Sequence, residues 1–184
     1  MTSNQSLKMA PELKVSRWFN VANPISLESL RGKVVILGSF QMLCPGCVSY
    51  GLPQLQEIAA QFPWEKVAVV GLHTVFEHHA AMTPVSLDAF IHEYRLNFPI
   101  GVDTHGADDV PATMKAYAFK GTPSLAVIDK LGRLRASHYG RISDLLIGAL
   151  IADLLAESME SLDLAKVAVV QDNGCSDDGC IMPS

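Results

Sequence analysis

Apolar and polar positions divide the chain into alternating blocks of two periods. Lys33-Val34-Val35-Ile36-Leu37-Gly38-Ser39-Phe40 is an almost unbroken apolar, β-branched run, as expected of a strand buried on both faces. After Cys47 the period lengthens. Val48, Leu52, Leu55, Ala59 and Phe62 follow one another at spacings of four and three, which marks one face of a helix. Pro53 falls inside that helix and predicts a kink, because it lacks an N–H and its ring crowds the preceding turn. Residues 67–72 read as a second buried strand, and Ser86 as the N-cap of a helix running to Tyr94. Residues 98–102 predict a short strand, and Asp109 the start of a helix to about Tyr117. Residues 125–129 and Leu134–Tyr139, joined by Lys130-Leu131-Gly132, predict a hairpin. Ile142, Leu145, Leu146, Ala149, Leu150 and Leu154 outline a last amphipathic helix, and residues 18–21 a short edge strand. Strands alternating with helices, closed by a hairpin and a helix, predict an α/β sandwich with a central mixed β-sheet flanked by helices.

The ends of the chain lack this patterning. Residues 1–16 are polar and aperiodic and read as a loose leader, and 17–158 as the folded domain. Residues 159–184 form an extension with one short apolar run at 167–170 and a tail reading QDNGCSDDGCIMPS. With 184 residues, 49% of them apolar, the chain can fill one core and is too short for two full domains. Fourteen Lys and Arg against nineteen Asp and Glu give a charge of −5 with no basic tract, which argues against nucleic-acid or anionic-membrane partners. No apolar run approaches the ~18 residues that span a bilayer. The first sixteen residues hold no continuous apolar segment of the secretory kind, so a cytoplasmic location is expected. In a reducing compartment four cysteines point to redox chemistry or metal binding rather than to structural disulfides.

Cys44-Pro45-Gly46-Cys47 lies where the central strand gives way to a helix. Two intervening residues let the sulfurs close a small disulfide ring. A thiol at a helix N-terminus meets unpaired N–H groups and the positive end of the helix dipole, and both favour thiolate. Such a thiolate attacks a substrate disulfide, and the second cysteine resolves the mixed disulfide. A CxxC is also half of a zinc site, but the remaining cysteines, Cys175 and Cys180, stand in a C-x4-C spacing in the tail. The strand–CxxC–helix context favours redox work without a metal or other cofactor.

The ordered set of motifs resembles the thioredoxin superfamily. It is most similar to the TlpA/ResA-like thiol–disulfide oxidoreductases within the redoxin (AhpC/TSA) group. The resemblance rests on Ser26-Leu27-Glu28-Ser29-Leu30-Arg31-Gly32-Lys33 leading into Val34-Val35-Ile36-Leu37, then on Cys44-Pro45-Gly46-Cys47 and Pro53. It continues through Val69-Val70-Gly71-Leu72-His73-Thr74, Phe98-Pro99-Ile100, Gly121-Thr122-Pro123-Ser124 and Val127-Ile128-Asp129-Lys130-Leu131-Gly132-Arg133. It spans roughly residues 17–156 and implies a thioredoxin-like sandwich. It also implies that Cys44 is the exposed nucleophile, Cys47 the resolving thiol and Pro123 a cis-proline beside them. The backbone of Thr122 would pair with an extended substrate segment, and Leu43 and Pro45 would flank the same contact. The implied partners are a protein or small-molecule disulfide and an unidentified thiol reductant.

Three positions depart from the family pattern. Leu43 replaces the usual Trp before the nucleophile, Gly38 stands where thioredoxins bury an acid, and Tyr50 stands where ResA-like proteins carry one. No carboxylate at a known position is therefore available to take a proton from Cys47. The Pro45-Gly46 dipeptide also reverses the common Gly-Pro order. A peroxiredoxin-like peroxidase is an alternative of different chemistry. Its P-x-x-x-T/S-x-x-C pattern would need a hydroxyl at residue 41 or 44, where the chain has Gln41 and Cys44. A binding module that uses the fold without chemistry is a third reading. Cys175 and Cys180 are candidate auxiliary thiols, although Asp177 and Asp178 would raise their pKa values and slow them. The plainer reading is incidental thiols in a loose tail. His78-His79 reads as a solvated loop, His73 as structural, and Asp108-Asp109 as acids at a helix start.

Overall fold

The structure, a computed structural model, describes residues 8–106 and 110–158. Six strands form one mixed sheet: β1 (Val15–Phe19), β2 (Val34–Phe40), β3 (Val67–His73), β4 (Ile100–Asp103), β5 (Ser124–Ile128) and β6 (Leu134–Tyr139). Their spatial order is β1-β4-β3-β2-β5-β6. β2, β3 and β4 run parallel, and β1, β5 and β6 pair antiparallel to their neighbours. β2 and β3 are buried at every residue, because the sheet carries a core on each face. Val34, Ile36 and Phe40 enter one core with residues from helices α1 (Leu52–Gln61), α2 (Pro84–Glu93) and α4 (Asp144–Ala156). Val35 and Leu37 point the other way, toward Leu27, Leu30 and the Met114, Tyr117 and Phe119 side chains around α3 (Ala112–Ala116). This is the sandwich with a central mixed sheet that the alternating periods predict.

Several local readings change. Residues 8–16 are tied to the domain rather than loose. Met9 bridges to Arg133, Glu12 Oε1 accepts the Leu27 N–H at 2.8 Å, and the Tyr117 hydroxyl donates to the Pro11 carbonyl at 2.8 Å. The pattern hides this because the partners lie far along the chain and the contacts use backbone groups. β1 accordingly begins at Val15, not Trp18. α2 is capped by Thr83, whose Oγ1 accepts the Ser86 N–H at 3.2 Å, so Ser86 lies inside the helix. α3 starts at Ala112, while Asp108 and Asp109 lie outside the described residues. α4 buries Ile147, Ile151 and Leu154 and leaves Leu145 and Leu146 exposed, so its buried face is narrower than its run of leucines suggests.

The interruption expected at Pro53 is a widened helical turn. Cys47–Gly51 is π-helical, with the Leu52 N–H bonded to the Cys47 carbonyl, and α1 follows directly. An added residue per turn accommodates a proline that can neither donate nor tolerate a close carbonyl four residues back. The tail, including residues 167–170, Cys175 and Cys180, lies outside the described residues.

Candidate active site

β2 leaves the middle of the sheet at Phe40 and delivers Gln41–Cys47 to its C-terminal edge. The Cys44 N–H donates to the Gln41 carbonyl at 3.2 Å, which turns the chain before the helix begins. Leu43 and Pro45 are exposed, Cys44 is half-buried, and Cys47 is fully buried at 0% exposure. Both cysteines are free thiols. The Cys47 N–H donates to Cys44 Sγ at 3.3 Å, so an unpaired amide of the helix start is aimed at the outer sulfur. The Cys44 thiol in turn faces the Thr122 carbonyl at 3.4 Å.

The Thr122–Pro123 peptide bond is cis. Pro123 lies across the helix start, where two glycines make room for it. A Cβ at Gly51 would sit 2.9 Å from Pro123 Cβ, and one at Gly46 would sit 3.3 Å from its Cδ. The structure therefore brings Cys44, Cys47, Thr122 and Pro123 into one cluster.

The two thiols differ in environment. Burial, and then the hydrogen bond with Cys44, push the Cys47 thiol up to about 12. The space in which an acid on residue 38 would stand is filled, because a Cβ on Gly38 would overlap Leu55 Cδ1. Tyr50 does not substitute for a carboxylate. Its half-exposed ring lies under the Arg141 guanidinium, 4.8 Å away, in a groove shared with Gln54, Glu57, Pro123 and Asp144.

Gln41, which the sequence marks only as lacking a peroxidase hydroxyl, has a structural part in the site. It is 1% exposed, and its amide joins three segments. Oε1 accepts the Phe76 N–H at 3.2 Å, while Nε2 donates to Glu77 Oε1 at 3.3 Å and to Thr122 Oγ1 at 3.5 Å. The available signal was a long polar residue between Phe40 and Met42, at the exit of an apolar strand. His73 ends β3 within the core, 5.4 Å from the Phe40 ring, with both ring nitrogens unpartnered. Burial pulls it down to about 4. His78 and His79 sit in the exposed loop after β3, with His79 edge-on to His105.

A mixed sheet whose central strand runs into a close Cys44–Cys47 pair, opposite a Thr-Pro loop, defines the thioredoxin-like thiol–disulfide oxidoreductase class. Residues 7–137 match the AhpC/TSA family model, and the chain belongs to that family. It is 59% identical to the thioredoxin-like superfamily protein SPOA0173, with a TM-score of 0.81 over 82% of this chain and 98% of that one. It is 44% identical to a thiol-disulfide isomerase from Corynebacterium glutamicum, with a TM-score of 0.78 over 85% of this chain and all of that one. Protein DipZ of Mycobacterium bovis and of Mycobacterium tuberculosis is 26% identical over 163 residues, 87% of this chain. The chain spans only 22% of DipZ's length.

Proposed function

We propose that the protein exchanges disulfides through Cys44 and Cys47, as a dithiol cycle. The supporting observation is the asymmetry of the pair: the half-buried Cys44 receives the Cys47 amide on its sulfur, while Cys47 is sealed from solvent. Cys44, as thiolate, attacks one sulfur of a substrate disulfide and releases the other as a thiolate, leaving a mixed disulfide. Cys47 then loses its proton and attacks Cys44 Sγ. The second substrate thiol leaves, and a Cys44–Cys47 disulfide remains. The substrate gains two electrons and the pair loses two, so an external thiol reductant must restore the dithiol. Thr122, Pro123, Leu43 and Pro45 border the attacking sulfur, and the Thr122 backbone is available to pair with an extended peptide. The 44% identity to a thiol-disulfide isomerase supports the same reading.

The peroxidase reading loses its footing at residue 41. There the chain has an amide in place of the hydroxyl of the peroxidase pattern, and that amide is engaged with Phe76, Glu77 and Thr122.

The test is trapping. Cys47→Ser is expected to accumulate a mixed disulfide with a protein or small-molecule disulfide, and Cys44→Ser is not. Alkylation of the reduced protein should favour Cys44 over Cys47 by at least about tenfold, because Cys47 is buried and its thiol is pushed up. Faster labelling of Cys47 would reverse the roles, and rapid sulfenic acid formation at low peroxide would restore the peroxidase reading.

A further inference from the structure

Gln41 and Glu77 lie beside the exchange site but have no part in the dithiol cycle itself. Gln41 is closed to solvent, and its amide contacts run to Phe76 and Glu77 after β3 and to Thr122, whose carbonyl faces Cys44 Sγ. Its backbone carbonyl holds the Cys44 N–H, and its side chain holds the Phe76 amide. Its single Nε2 is shared by Thr122, whose carbonyl faces Cys44 Sγ, and by the Glu77 carboxylate. A buried amide with its donors and acceptor used holds its partners in one arrangement, because releasing any of them leaves a desolvated polar atom unpaired. The Glu77 carboxylate is thus pinned from beneath, to the same nitrogen as the loop that would receive the substrate backbone.

Above that anchor Glu77 is exposed, and so are Phe76 and Leu43. Among the described residues no cationic side chain forms an ion pair with Glu77. Its charge is linked through one nitrogen of Gln41 to Thr122, whose carbonyl lies 3.4 Å from Cys44 Sγ, and exposed charges are felt over ~10 Å at moderate salt. The net charge of the whole chain, −5, adds attraction of the same sign.

We propose that Glu77, positioned by Gln41, selects disulfides flanked by cationic residues on a peptide. This rests on the disulfide-exchange reading. Glu77 is the specificity-determining group, and Gln41 is a positioning residue that acts through Glu77 and Thr122. The occupant is an extended peptide with Arg or Lys next to its cystine, with apolar neighbours accommodated by Leu43 and Phe76.

The experiment compares kcat/KM for two synthetic peptide disulfides, identical except for Arg or Gln beside each cysteine. Wild type should prefer the Arg peptide by about two- to fivefold at low salt, the range of one exposed charge pair, and the preference should fade by 0.3 M salt. Glu77→Gln keeps a hydrogen-bond acceptor for Gln41 and should remove the preference, mainly through KM. Gln41→Met should remove the preference as well, and the double variant should lose no more of it than either single one. That non-additivity is what a shared device requires and general destabilisation does not produce. Should Gln41→Met fail to fold, the exposed Glu77→Gln decides alone. Equal rates for the two peptides in wild type overturn the proposal, as does a preference that survives Glu77→Gln. Absence of turnover of either peptide by wild type overturns the exchange reading instead, and this inference with it.

Discussion

Cys47 is buried where neither Gly38 nor Tyr50 supplies a carboxylate to take its proton. Burial, and then the hydrogen bond with Cys44, hold the thiol of the reduced pair at about 12, and Leu55 fills the volume next to Gly38 in which an acid would lie. Attack on the mixed disulfide requires the thiolate, and burial, the largest cause and the one that persists once Cys44 is bonded to substrate, keeps the ionised fraction small at neutral pH. That fraction rises about tenfold per pH unit until the pH reaches the pKa. The rate of resolution of a preformed Cys44 mixed disulfide is therefore expected to climb steadily from pH 7 to pH 10. Single-turnover release of the second substrate thiol measures it. A rate flat across that range would mean that Cys47 ionises far more easily than its burial implies. The Cys44–Cys47 and Thr122–Pro123 placements were legible because each depends on a short strand–turn–helix or turn–strand segment. The Gln41 contacts were not, since its partners lie 36 and 81 positions away and a lone glutamine at a strand exit reads as an ordinary turn residue.

Helix starts show the same division between local and distant information. Two hydroxyl residues, Thr83 and Ser86, bracket Pro84 at the start of α2, and hydropathy alone does not say which one caps. Thr83 has extended backbone (φ −76°, ψ 161°) and accepts the Ser86 N–H, which gives it the capping role. Thr83→Ala is expected to lower stability by about 1 kcal/mol. Ser86→Ala should have a smaller effect, because its backbone N–H remains and only the 3.1 Å hydroxyl contact with Thr83 is lost. Urea titrations of the two variants check the order, and an equal or larger loss for Ser86→Ala would return the cap to that residue. Strands β2, β3 and β5 were readable because burial on both faces leaves a near-continuous apolar run. The N-terminal contacts at residues 8–14 were not, because they are made largely through backbone groups and a single carboxylate, which leave no hydrophobic period.

For the whole molecule the sharpest consequence of this packing is the acid limb of stability, and His73 dominates the argument. Its ring is 1% exposed, neither nitrogen has a partner, and its pKa is about 4 in place of the ordinary 6.5. The unfolded chain therefore binds a proton at this site below about pH 6.5 while the folded protein refuses it until about pH 4. Stability is full above 6.5 and falls as the pH drops toward 4, by roughly 3 kcal/mol at about 1.4 kcal/mol per pH unit. Asp103 works in the opposite sense. Burial raises its pKa, so the folded state takes up that proton more readily and recovers some stability on acidification. A difference measurement separates the two. Denaturant unfolding of wild type and His73→Leu at pH 7.0, 5.5 and 4.5 should show the variant at least as stable at pH 7, since two unpaired buried nitrogens are gone. The variant should also lack most of the wild-type decline below 6.5. Parallel pH curves would show that His73 finds a proton or a hydrogen-bond partner in the folded state and that the acid limb originates elsewhere.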